Sequence, residues 1–191
     1  METLEAIKTR ASVRAYREDR PQKEILEALI EAASHAPTTA NRQAWTFTVI
    51  SDRMLLDGLS AAAKQYMTLE HPLDLPAYLY DKLRDPDFHI FYHAPVLIVL
   101  SGDDRLPWMA EDCALAAQNL MLAAHETGLG TCWIGLAQPY LATETGRAVL
   151  ALRPKMHPYA PIAVGYPSTQ TSPASRNKVT IDWIGDTASS H

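Results

Sequence analysis

The chain predicts a single α+β domain with helices packed on both sides of a sheet. Three observations lead there. At 191 residues with 47% hydrophobic content, it can bury one sizeable core but not two. The run Ala94–Ser101 (APVLIVLS) is continuously apolar and rich in β-branched residues, the pattern of a strand covered on both faces. From Pro107 a long helix runs to about Thr127, and its segment Cys113–Ala124 carries no charged residue, so more than one of its faces is buried.

The other elements follow in order. Leu4 and Ile7 mark a short first helix. Pro21 opens a stronger one, with Ile25, Leu26, Leu29, Ile30 and Ala33 as its apolar stripe, ending before Pro37. Thr46–Ser51 reads as a strand and Asp52–Lys64 as a helix. Residues 65–93 mix prolines, tyrosines and charges without a period and are expected to form a variable cap, where Tyr66, Tyr78, Phe88 and Phe91 would shape a pocket. The long helix stops at Gly128, a left-handed terminator, and leads into the glycine-bracketed strand Leu129–Gly135. That bracket does not meet the dinucleotide fingerprint, because a helix precedes it and the spacing is G-x-G-x-x-x-x-G. A helix over Leu141–Leu152, a strand over Ala160–Tyr166 and a tail from 167 to 191 carrying Arg176 and Lys178 complete the chain.

A net charge of −5 argues against nucleic acid as a partner and confines any cationic site to a local cluster. Two cysteines, Cys113 and Cys132, lack zinc spacing and are too few for a disulfide framework, which fits a reducing cytosol. With no apolar signal core at the start and no apolar run near the roughly 20 residues of a membrane span, a cytoplasmic protein without a membrane partner is expected. The uncharged helix face favours an oligomer, most economically a two-fold homodimer, over a monomer that buries it centrally.

Two runs carry candidate chemistry. In an extended chain, Arg10, Ser12 and Arg14 project to one side, giving two cations and a hydroxyl a common focus. Guanidinium forks match phosphate oxygens. Alone, this spacing leaves an anion site and a solvated loop both open. The second run, Pro37–Trp45 (PTTANRQAW), offers hydroxyls and amides suited to a planar, hydrogen-bonding ligand.

Taken together, RASVRAY at 10–16, APTTANRQAW at 36–45, HAPVLIVL at 93–100, DCALAAQNLMLAAHETGLGTCWIG at 112–135 and PIAVGYP at 161–167 resemble the nitroreductase family of FMN-dependent oxidoreductases, from Arg10 through Arg176. The resemblance implies a three-layer fold with a mainly antiparallel central sheet wrapped by helices, an intertwined homodimer whose C-terminal tails embrace the partner, and FMN at the interface. It further implies that Arg10 and Ser12 hold the phosphate, that Arg14 faces the ribityl chain and pyrimidine edge, and that Arg176 and Lys178 close the phosphate site. Pro37, Thr38, Thr39 and Asn41 would lie over the isoalloxazine of the neighbouring subunit; Trp133, Ile134 and Gly135 would run near flavin N5, and Gln65 would meet the polar edge. The implied activity is ping-pong hydride transfer from NADH or NADPH through flavin N5 to a small-molecule acceptor such as a nitroaromatic or quinone, with no residue obligatory as acid or nucleophile. An FMN-binding redox sensor with little turnover is the alternative class. Ala44, Ala11 and the threonines at 38 and 39 depart from commoner residues of the family, which bears on the substrate rather than on the flavin. His89 and His93, four residues apart without an H-E-x-x-H pattern, read as a structural pair rather than a metal site; Cys132 and Trp45 read as packing.

Overall fold

The computed structural model describes residues 2–70 and 76–185, so residues 71–75 of the expected cap and 186–191 of the tail lie outside the described residues. Helices α1 (Thr3–Thr9) and α2 (Lys23–Ser34) precede strand β1 (Trp45–Ile50) and helix α3 (Arg53–Gln65). The Asp52 carboxylate caps α3 by accepting from Leu55 N at 2.9 Å. A π-helical turn, Tyr66–Glu70, and helix α4 (Ala77–Arg84) lead to β2 (Val96–Asp103), followed by α5 (Met109–Glu126) and β3 (Gly130–Trp133). Two short helices, α6 (Gln138–Leu141) and α7 (Glu144–Val149), then carry the chain into β4 (Met156–Gly165).

The four strands form one sheet in the order β1-β2-β4-β3, every neighbouring pair antiparallel. Because side chains alternate across a strand, β2 feeds two cores. Val96, Ile98 and Leu100 join Ile162 and Val164 of β4 under α2 and α5, through Leu26, Leu29, Ala116 and Leu120. Leu97 and Val99 face the other way, with Ala163 and Cys132, under α3 and the segments after it. The result is helix, sheet, helix, with β2 buried along almost its whole length. A bulge between Leu100 and Ser101 shifts the β2–β4 register, and Pro158 of β4, which has no N–H to give to a ladder, sits beside it.

Two expectations change. The helix expected over 141–152 starts later and ends earlier, as α7, with the separate α6 before it: Thr143 Oγ1 caps α7 by accepting from Gly146 N, and Gly146 packs so tightly on the preceding turn that a Cβ there would stand 2.3 Å from Tyr140 O. The 65–93 stretch is not peripheral throughout. Met67, Leu83, Ile90 and Phe91 are core residues, and Phe91 has no exposed surface, so it does not line a pocket in this subunit. Trp45 and Cys132 do pack, Trp45 edge-on to Phe47 at 6.3 Å and Cys132 within the sheet.

After α1 the chain runs extended along the β3–β4 end of the sheet. Val13 N donates to Thr131 O at 2.9 Å, Arg17 N to Tyr166 O at 2.8 Å, and Ser168 N to Ala15 O at 3.0 Å. Bare backbone makes this approach possible: a Cβ on Gly130 would stand 2.6 Å from Val13 Cγ2, and one on Gly165 3.1 Å from Tyr16 Cδ1. Gly130→Ala is therefore expected to lower stability by about 1–3 kcal/mol, read by urea denaturation, because Val13 is tethered by its own backbone and cannot retreat; an unchanged midpoint would contradict this packing.

A pH dependence follows from His89, whose side chain is only 8% exposed. Burial, aided by neighbouring His93 and by Arg53 and opposed by Asp57, pushes its imidazole down to about 4. The folded protein favours neutral His89, so its contribution to stability is complete above the unfolded value near 6.5 and is lost as pH falls through about 4. Thermal unfolding between these values should lose this increment in the wild type and not in His89→Leu.

Candidate functional site

Arg10 ends α1, its N–H closing the last turn on Ala6 O, and its ψ of 131° sends the chain into extended geometry. Ser12 forms a parallel bridge with Thr131. The alternation read from the spacing is realised at the edge of β3, where Arg10 and Arg14 both oppose the upward push that burial gives the Cys132 thiol. Arg10 lines a cleft of about 260 Å³ with Thr9, His125, Thr131 and Thr169. Among the described residues, neither its guanidinium nor the Ser12 hydroxyl has a hydrogen-bond or ion-pair partner. An unclaimed guanidinium lining a cleft, with a free hydroxyl two residues away, is what an incoming anion requires.

Two residues beyond the Ser12–Thr131 bridge, β3 ends at Trp133, which is 37% exposed. Ile134 turns inward, its N–H donating to Pro161 O at 2.8 Å. Gly135 is exposed, and a Cβ there would meet open space. This edge can therefore receive a flat ligand against the backbone. Gln65, at the exposed end of α3, lines a different hollow with Tyr66, Tyr140 and Thr143.

The 37–41 segment is positioned by a residue that sequence reasoning missed. Asp112, in the first turn of α5 and only 7% exposed, accepts from Thr39 N at 3.1 Å and from Thr39 Oγ1 at 3.2 Å. Thr38 Oγ1 accepts from Gln43 N at 3.2 Å, and Gln43 Nε2 donates to Asn41 Oδ1 at 2.9 Å. Ala40, Asn41 and Gln43 all take left-handed φ values, 52°, 53° and 47°, a strained arrangement that surrounding contacts must hold. Pro37 is exposed at its start.

Within one subunit, the two candidate clusters do not meet. Asp112, which holds Thr39, lies near the start of α5, whereas His125, whose Nε2 lies 2.8 Å from Thr9 Oγ1 beside Arg10, lies at its end. They are thirteen helical steps apart, about 20 Å at 1.5 Å per residue. Arg176 and Lys178 belong to a tail exposed from Ser168 to Gly185 and make no ion pair with a described residue. The structure thus joins Arg10, Ser12, Arg14 and Trp133–Gly135 at one edge, and leaves Pro37–Asn41, Gln65 and the tail cations apart from it.

Asp112→Ala would leave Thr39 N–H without its partner and the left-handed turns without their anchor. A loss of about 1–3 kcal/mol and faster proteolytic cleavage at residues 38–43 are expected; wild-type resistance to cleavage would contradict the anchoring role.

Comparison with known proteins places the chain in a family. A putative NADH dehydrogenase/NAD(P)H nitroreductase from Methanothermobacter thermautotrophicus is 29% identical over 172 residues, covering 88% of this chain and 78% of the relative. Nitroreductase NfnB from Mycolicibacterium smegmatis is 30% identical, covering 76% of this chain and 75% of its own length. A crystal structure of a nitroreductase with bound FMN from Bacteroides fragilis superimposes with a TM-score of 0.85 at 27% identity, over 97% of this chain and all of the other. The model of the Nitroreductase family matches residues 7–166, and the chain belongs to that family.

Proposed function

We propose that this FMN-dependent NAD(P)H oxidoreductase works as a homodimer with flavin sites built from both subunits, and passes electrons from NADH or NADPH to a small nitroaromatic or quinone acceptor in two successive half-reactions at one pocket. The observation that carries the reading is the separation along α5. Residues with the donors for a phosphate and those with the hydroxyls and amides for a ring are anchored at points about 20 Å apart along one helix, and the exposed side of that helix shows Leu115 at 47% exposure. A two-fold axis across that helix would bring one subunit's Thr38 and Asn41 over its partner's Arg10 edge.

The residues fit the cofactor. Arg10 and Ser12 have unclaimed donors for a dianionic phosphate, and Gly135 leaves backbone open to a planar ring. Bound FMN supplies the hydride chemistry at N5. Arg14 supports negative charge at the pyrimidine edge, Trp133 and Gly135 shape the N5 side, and the apolar core beneath β3 keeps water from that face. The tail adds to assembly: Val179, Ile181 and Trp183 lie in a segment outside any helix or strand and are 75%, 63% and 74% exposed, apolar surface suited to a partner's. Arg176 and Lys178 on that tail then reach a phosphate in the assembled protein.

Arg10→Ala should weaken FMN by about 2 kcal/mol, roughly thirtyfold in dissociation constant, while the far-UV spectrum stays native; full flavin retention would remove Arg10 from the site. The shared site is tested by complementation. Arg10→Ala and the double variant Thr38→Ala with Asn41→Ala should each reduce NADH-dependent turnover, and co-refolding them should restore activity, because the mixed dimer keeps one intact site. Mixtures no more active than their components would place both clusters in the same subunit's site.

A further inference from the structure

The turn before β2 carries two consecutive left-handed residues, Tyr92 at φ 54° and His93 at φ 56°, neither of them glycine. Backbone of this kind persists only where its surroundings enforce it, and it collects at functional sites. Here the enforcement is visible. Phe91, fully buried, roots the turn in the core. His89 Nδ1 accepts from Phe91 N at 3.2 Å and from His93 N at 3.3 Å, so the imidazole proton sits on Nε2, which donates to Asp57 Oδ1 on α3 at 3.1 Å. Arg53, one turn earlier on α3, donates to His93 O at 3.4 Å and to His93 Nδ1 at 2.8 Å, and pairs with Asp57 at 3.1 Å.

Asp57, His89 and His93 bring three potential metal-ligating atoms within 4.8 Å of one another, but their lone pairs and protons are already committed to this network. His89 presents N–H rather than a lone pair toward Asp57, and the Arg53 guanidinium occupies His93 Nδ1. The cluster is a brace for the turn.

What the braced turn delivers is Tyr92. Its ring stands edge-on to Phe88 at 5.7 Å and lies beneath Arg14, whose guanidinium carbon is 5.9 Å from the ring centroid. Arg14 is otherwise exposed, and a free arginine side chain loses rotamer freedom whenever it must hold one pose on a ligand. We propose that Tyr92 is a positioning residue, held in its left-handed turn by the His89–Asp57–Arg53 brace, that pre-orients Arg14 toward the flavin and thereby favours the reduced over the oxidised cofactor. This rests on the reading of Arg14 as a flavin ligand. A cation held at the pyrimidine edge strengthens binding of the anionic reduced ring more than of the neutral oxidised one, so its placement sets both affinity and potential.

The test measures the FMN dissociation constant by fluorescence quenching and the two-electron midpoint potential of the bound flavin. Tyr92→Leu should weaken oxidised FMN severalfold and reduce the preference for reduced flavin by up to about tenfold, a fall of about 30 mV for a two-electron couple. Tyr92→Phe, which keeps the ring, should fall between it and the wild type, and serves on its own if the leucine variant does not fold. His89→Leu should reproduce the Tyr92→Leu values, and His89→Asn, with an acceptor near the Nδ1 position, should restore them toward wild type. In an Arg14→Ala background, Tyr92→Leu should change nothing further. Additive losses in that double variant, or wild-type values for both Tyr92 variants while Arg14→Ala alone shifts the potential, would overturn the positioning role and leave Arg14 a ligand. An Arg14→Ala protein with wild-type affinity and potential would overturn the Arg14 reading and this inference with it.

Discussion

Segment 10–17 can lie against the sheet only because Gly130 and Gly165 put no side chain in its path. The backbone bonds from Val13 to Thr131 and from Arg17 to Tyr166 then act as extra rungs on β3 and β4, and they fix the direction in which alternate side chains leave the segment. Val13 goes into the protein and Arg10, Ser12 and Arg14 go to the edge, where the exposed end of β3 begins. A cation cluster in a protein of net charge −5 thus comes from the seating of one short segment, not from a general surface field.

Helix α5 extends that constraint across the molecule. Its buried face, through Ala116, Ala117, Leu120 and Ala124, packs into the sheet, and its two ends hold the two halves of the candidate site. At the first end the Asp112 carboxylate fixes a loop rich in left-handed residues; at the other His125 meets Thr9 beside Arg10. A helix is stiff, so the halves cannot close on each other within a subunit, and the proposed homodimer is what would complete the site. The exposed apolar surface of the tail points the same way, because a lone subunit gains nothing from leaving Trp183 and Ile184 in water.

Much of this was legible in the chain. The apolar run at 94–101 announces a strand buried on both faces and becomes β2; the charge-free stretch at 113–124 announces a helix with more than one covered face and becomes the middle of α5. Arg10, Ser12 and Arg14 were readable because period-two spacing is a property of extended backbone itself. The segment 65–93 was not readable, since a π-helical turn and paired left-handed residues have no period, and its core residues Met67, Leu83, Ile90 and Phe91 recur at no fixed interval. The break between α6 and α7 was hidden for another reason: the need for a bare Gly146 arises from how closely it seats on the backbone of Tyr140 and Leu141, which residue types alone do not reveal. Asp112 and Tyr92 carry no local mark, as their partners Thr39 and Arg14 are more than seventy residues away in the chain. Asp112, the last charge before the uncharged stretch, offered the one faint signal.

The central claim, that a flavin held between two subunits carries the electrons, is met most directly by the visible spectrum of protein purified without added flavin, combined with sedimentation of the same sample and anaerobic addition of NADH and then NADPH. The account predicts a dimer with one FMN per subunit whose absorption bands bleach on addition of a reduced nicotinamide. A colourless protein that takes up no added FMN, or a monomer that keeps its flavin on dilution, would contradict it.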